Sequence, residues 1–180
     1  GSINGINNNE SGSNYNTKIT INKGKITNVF GGGQGNDTYT PNVYGDILVT
    51  INNGEIANVF GGNDVSGMPS KSVKVVVNNG NITNVYGGGN KTNLITTDVL
   101  INDGIITNTY GGSNVTGDVN TTNIEINGGE LSNVYGGNNI GGSTITSNVT
   151  LKNGIITNAY GGGNLATTNK TNLVVTDNVV

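Results

Sequence analysis

The sequence predicts an all-β fold: a parallel β-solenoid (β-helix) of about 25 residues per coil, six to seven coils long. Three observations lead there. The motif Asn-Val-(Phe/Tyr)-Gly-Gly returns in phase, at Asn28 to Gly32, Asn58 to Gly62, Asn84 to Gly88 and Asn133 to Gly137, and with one residue changed at Asn108 to Gly112 and Asn158 to Gly162. A short alternating β-branched run stands at a constant offset before each copy. Gly and Asn punctuate every window too closely for a helix to form.

Each unit opens on a strand: Ile19-Thr20-Ile21, Val49-Thr50-Ile51, Val75-Val76-Val77, Val99-Leu100-Ile101, Ile124-Glu125-Ile126 and Val149-Thr150-Leu151. Their period of two marks half-buried strands. A turn follows at Gly24, Gly54, Gly80, Gly104, Gly129 and Gly154, spaced by 30, 26, 24, 25 and 25 residues, where Gly supplies the positive φ of the bend. A second strand carries Ile26, Ile56, Ile82, Ile106, Leu131 or Ile156 inward and ends in the motif. A variable polar segment closes the coil. Near the end, Leu173-Val174-Val175 aligns with Val149-Thr150-Leu151, which sets Asn178 at the turn Gly and Val180 at the place of Ile156. Asn7 to Asn16 resembles the variable segment of a preceding coil. Residues 1–180 therefore read as a single β-solenoid repeat fragment cut from a longer array, with Gly1-Ser2 a cloning scar.

The Asn-Gly turns could equally close antiparallel hairpins. The phase decides against them. A hairpin gives no reason for Asn28, Asn58, Asn84, Asn108, Asn133 and Asn158 to be one residue type, whereas a solenoid stacks their amides into a hydrogen-bonded structural ladder. At the spacing of sheet strands, such a stack makes a rod on the order of 30 Å long.

Composition narrows the function classes. Apolar residues are 32% of the chain against roughly 45–50% in ordinary globular domains, while Gly contributes 31 residues and Asn about a fifth. Cys, His, Trp and Arg are absent, so no compartment is required for disulfides, and there is neither a Cys nucleophile nor a His for a triad or a metal. A net charge of -3 and scattered Lys argue against nucleic acid as a partner. No apolar run reaches membrane-spanning length, so membrane insertion is not expected either. The acids Asp46, Asp98, Asp103, Asp118, Glu125 and Glu130 do not recur as a pair, and neither a catalytic residue nor a cofactor is expected.

Three other patterns carry chemistry in principle. The aromatic ladder Phe30, Phe60, Tyr86, Tyr110, Tyr135 and Tyr160 either fills the core or faces a ligand such as a sugar. Strict alternation from Ile26 through Asn28 puts the ring inside; a bend at Asn28 puts Val29 inside and the ring out. Gly32-Gly33-Gln34-Gly35-Asn36-Asp37 matches a calcium-binding β-roll repeat, echoed weakly by Gly61-Gly62-Asn63-Asp64. The other coils offer only Asn90, Asn114, Asn139 and Asn164 there, so these residues read as turn formers and no metal is expected. Thr96-Thr97, Thr121-Thr122, Thr144 with Thr146, and Thr167-Thr168 suggest an ice-ordering Thr array, but their segments differ in length.

The repeat Ile-Asn-x-Gly-x-Ile-Thr-Asn-Val-Tyr-Gly-Gly-Gly-Asn, cleanest at Val77 to Asn90 and Leu151 to Asn164, resembles the glycine- and asparagine-rich repeats of large adhesin-like surface proteins of anaerobic Gram-positive bacteria. The resemblance runs from about Ile19 to Asn164, and the insertion from Gln34 to Gly45 departs from it. It implies a secreted module at the bacterial cell surface or cell wall, a rigid stalk or adhesive rod with no chemistry of its own. The partners it implies are further repeats of the same chain and a host or cell-surface glycan or protein. The alternative is a carbohydrate-binding solenoid using an exposed aromatic ladder, with ice-binding and polysaccharide-lyase-like β-helices more remote.

Overall fold

Two parallel sheets share one chain that passes between them once per coil. The computed structural model describes residues 17–69 and 71–180, so Gly1-Ser2 and the expected preceding segment at Asn7 to Asn16 lie outside the described residues. The first sheet stacks β1 (Thr17–Ile21), β3 (Ile47–Ile51), β5 (Val73–Val77), β7 (Leu94–Ile101), β9 (Val119–Ile126), the start of β11 (Ser143–Tyr160) and β12 (Thr167–Val179). The second stacks β2 (Lys25–Phe30), β4 (Glu55–Phe60), β6 (Asn81–Tyr86), β8 (Ile105–Tyr110), β10 (Glu130–Tyr135) and the end of β11.

All these pairings are parallel, and the described residues contain no helix. In one register column Ile19 pairs Val49, then Val75, Val99, Ile124, Val149 and Leu173. In the other, Asn28 pairs Asn58, Asn84, Asn108, Asn133 and Asn158. The solenoid reading therefore holds, with coils of about 25 residues. The chain makes about five turns rather than the expected six to seven, because a row is not a turn: the rows of the second sheet from β2 to β11 enclose one turn fewer than their number.

The far end departs from the simple alignment. Leu173, Val174 and Val175 pair with Val149, Thr150 and Leu151 as expected, but Asn178 then pairs with Asn153 instead of Gly154. Thr176 accounts for the slip. Its hydroxyl donates to the carbonyls of both Leu151 and Lys152, so β12 carries one residue more than its neighbour there.

Inward residues alternate along the first sheet, as in Ile47, Val49 and Ile51 or Val73, Val75 and Val77. The second sheet does not alternate throughout. In β6 Ile82 is buried, Thr83 and Asn84 both turn outward, and Val85 is buried again. Two successive outward residues make the bend, and the register passes over Thr83 there. The core is thus a stack of Val, Ile and Leu, with fully buried aliphatics contributing about 1.5–3 kcal/mol each.

The Gly pair is required by the close approach of neighbouring rows. A Cβ on Gly87 would collide with the Gly111 carbonyl oxygen of the next row and sit 2.9 Å from Val99 Cγ2. The same close approach recurs at Gly31, Gly61, Gly111 and Gly136. The turn glycines Gly24, Gly54, Gly80, Gly104, Gly129 and Gly154 adopt φ from 95° to 140°, as expected. After the Gly pair the interior becomes polar and fully bonded. Asn138 accepts from Ser113 N at 2.9 Å and donates to Gly117 O at 2.7 Å and Gly141 O at 3.1 Å, while Asn63 donates to Pro41 O and Ser66 O.

Thr109 stands in the inward column otherwise held by Val29, Val59, Val85, Val134 and Ala159, and its buried Oγ1 has no hydrogen-bond partner. Thr109→Val is expected to stabilise the protein by about 1 kcal/mol, because it replaces an orphaned hydroxyl by a methyl of the same shape. Gly87→Ala should cost about 3 kcal/mol or more, since its Cβ meets backbone that cannot move without separating two rows. Urea midpoints of the two variants should therefore shift in opposite directions; a neutral Gly87→Ala would contradict the close stacking.

Candidate functional site: the stacked amide and aromatic columns

Parallel pairing brings identical side chains one row apart, and the outer corners of the coil are where polar ones collect. Along the predicted ladder Asn58 Nδ2 donates to Asn28 Oδ1 at 2.9 Å, Asn84 to Asn58 at 2.8 Å, Asn108 to Asn84 at 2.9 Å, and Asn133 to Asn108 and Asn158 to Asn133 at 3.0 Å each. The structure brings all six together. They stand at the outward bend, exposed at the two ends and half-buried between, so the ladder is not an inward one.

Three further ladders escaped the sequence reading. Asn22, Asn52, Asn78, Asn102 and Asn127 are joined in series at the end of the first sheet. Asp64, Asn90, Asn114, Asn139 and Asn164 form another beyond the Gly pair, on the residues read from sequence as turn formers. Asp98, Asn123 and Asn148 form the third on the outer face of the first sheet. The signal was present as Asn returning at fixed offsets within the repeat. In every ladder Nδ2 donates toward the preceding row, so the first member only accepts. Asp, an acceptor without a donor, stands only there, as Asp64 and Asp98.

The bend that turns Asn84 outward also turns Tyr86 out of the aliphatic core. Phe30, Phe60, Tyr86, Tyr110, Tyr135 and Tyr160 form a column of their own, with centroids 4.6 to 5.0 Å apart and planes within 7° of parallel. Atoms in contact sit about 3.5–4 Å apart, so parallel rings at this repeat keep contact by slipping sideways, parallel to their planes. Of the two readings the sequence left open, the bend is realised, yet the rings are not bare. Tyr110 is only 5% exposed, its faces covered by Tyr86 and Tyr135, whereas Tyr160 is 46% exposed.

Electrostatics follow from this packing. Burial pushes the Tyr110 phenol up to about 12, with Tyr86 and Tyr135 beside it acting in the same direction. Burial likewise raises Tyr86. On the outer face of the first sheet, a hydrogen bond from Lys152, 2.8 Å away, holds the Glu125 carboxyl below its usual range.

The remaining acids are dispersed. Asp46 accepts from Ser72 Oγ, Asp103 from Gly104 N, and Asp118 from both the amide and the hydroxyl of Ser143. Asn36, beside Asp37, accepts from Thr38 N and Tyr39 N, which makes the calcium-like match a local turn. No group of three or more acidic, His or Cys side chains that could hold a metal stands among the described residues. The Thr clusters are in closer register than their segment lengths suggest, with Thr96, Thr121 and Thr146 in one column. Their neighbours point inward: Thr97 donates to Gly111 O at 2.6 Å and Thr122 to Gly136 O at 2.5 Å.

Asn108→Ala removes two ladder bonds in the middle of the stack and should cost about 1–2 kcal/mol, whereas Asn28→Ala, which removes one at an exposed end, should cost about half that or less. Equal denaturation midpoints for the two variants would remove the ladder from the list of stabilising contacts. A spectroscopic titration should show Tyr110 ionising only near pH 12. Since the folded phenol keeps its proton longer than the unfolded one, its contribution to stability is complete below pH 10.0 and is lost as pH rises toward 12. Comparison of this chain with family models, with curated proteins and with solved structures finds no match.

Proposed function

We propose that the chain is an extracellular structural module of a bacterial surface protein, a rigid stalk or adhesive rod that stacks with further repeats of its own chain. The observation that carries this reading is continuity. Hydrogen-bonded amide columns and an aromatic column run along the stack in addition to the parallel ladders of both sheets. Each column joins every row it reaches to the next, so bending the rod breaks several of them together. The functional groups of the site are spent on one another, which suits a part whose task is shape.

The same geometry weighs against the aromatic column as a sugar platform. A sugar ring packs on an aromatic face, and the inner faces here are covered by the neighbouring rings.

Rigidity is measurable directly because the chain has no Cys. Lys18 and Asn172 stand in one register column six rows apart, or about 29 Å at sheet spacing. Spin labels on K18C and N172C should give one narrow distance distribution near that value, and a broad one would sink the stalk reading. Beads coated with the rod should not be retained on glycan arrays. Saturable, sugar-specific retention would move the protein to the carbohydrate-binding class.

A further inference from the structure

We infer that Asn53, Asn79 and Asn153 are sites of spontaneous deamidation, and that the fold itself separates them from Asn127, which is also followed by Gly. In each of the three the backbone nitrogen of the following glycine lies against the Asn side-chain carbonyl: Gly54 N is 2.7 Å from Asn53 Oδ1, Gly80 N is 2.6 Å from Asn79 Oδ1, and Gly154 N is 2.8 Å from Asn153 Oδ1. Cγ is one carbonyl bond of about 1.2 Å further, so nitrogen and carbon are held within about 4 Å of each other. That is close to the separation from which bonds form.

The step balances with water alone. The glycine amide loses its proton to hydroxide, and its nitrogen attacks Cγ to form a new C–N bond. The Cγ–Nδ2 bond breaks, and the amide nitrogen leaves as ammonia after taking up a proton. The five-membered succinimide then adds one water at either carbonyl, giving aspartate or isoaspartate. No electron is transferred.

The environment of the turn favours the reaction. Asn53, Asn79 and Asn153 are exposed, so hydroxide and water reach them. The flanking amides are held in the inter-row network, Asn52 N by Ile21 O, Glu55 N by Gly24 O, Asn78 N by Ile51 O and Asn81 N by Gly54 O. Gly54 and Gly80 instead donate to the Asn beside them. The product fits too: the same turn position in the next coil is already a carboxylate, Asp103, which accepts from Gly104 N at 2.8 Å.

Asn127-Gly128 is the internal control. Its sequence is the same, but Asn127 belongs to a ladder, is half-buried, and donates its Nδ2 to Asn102 Oδ1 at 3.1 Å. Freeing that nitrogen as ammonia requires breaking the ladder first. Deamidation of Asn79 also sets a second negative charge one row from Asp103, where like charges repel. The rod therefore gains charge with age at one edge, without an enzyme.

The experiment is peptide mapping by mass spectrometry on the full chain, incubated in mildly alkaline buffer both folded and in urea. In the folded chain Asn53, Asn79 and Asn153 should convert while Asn127 lags by at least about tenfold. In urea all four should convert at similar rates. Asn102→Ala should release Asn127 in the folded chain, whereas Asn102→Asp, which keeps the acceptor, should leave it slow. If Asn127 keeps pace in the folded wild-type chain, or the three turn residues stay amidated while the unfolded chain converts, the inference is overturned. Either result leaves the stalk reading standing, because that rests on the distance measurement.

Discussion

The distance between parallel strands, about 4.7–4.9 Å, is the constraint from which the rest of this structure follows. An Asn amide on one row reaches the amide on the next at this spacing with no adjustment, and ladder bonds of 2.7 to 3.1 Å result. Aromatic rings are thinner than the spacing, so they lie offset to stay in contact. Two backbones crossing after the motif leave no space for a Cβ, and glycine is the residue that remains.

One local irregularity allocates the side chains among these columns. Where the second strand places Thr83 and Asn84 outward in succession, the alternation inverts, and everything after it changes sides. Val85 joins the aliphatic core while Tyr86 leaves it to stack against its own copies. A chain of low aliphatic content can thereby line its interior with Val and Ile, and let amides and rings hold the outer corners. Departures from the consensus mark where this arrangement is imperfect, most plainly the unpartnered hydroxyl of Thr109.

The polar columns bear on function through what they leave unused. The ladder amides and most carboxylates among the described residues already have partners in neighbouring rows, and exposed ion pairs such as Lys25 with Glu55 at 2.7 Å add little stability. A protein whose polar groups are satisfied along one axis is suited to carry load and position along that axis. The direction of the ladders, donors always facing the preceding row, also gives the rod a polarity that any stacked repeat must match.

Much of this was legible in the sequence. In-phase Asn28, Asn58 and Asn84 required stacking of like on like, and their hydrogen bonds are where that argument put them. The turn glycines and the inward Ile56, Ile82 and Ile106 were equally plain, because φ and period-two alternation are local properties. The side taken by the aromatic rings was not, since alternation and a bend at Asn28 are both compatible with the same residues. Only packing decides between them, by burying Val29 and Val59. Nor could spacing alone reveal that Thr97 and Thr122 point inward to glycine carbonyls of the opposite sheet, or that Thr176 shifts the last register by one residue. Sequence determined which residues repeat and therefore which must stack; the closing of the coil decided which of those stacks face in, because burial depends on atoms far away in the chain.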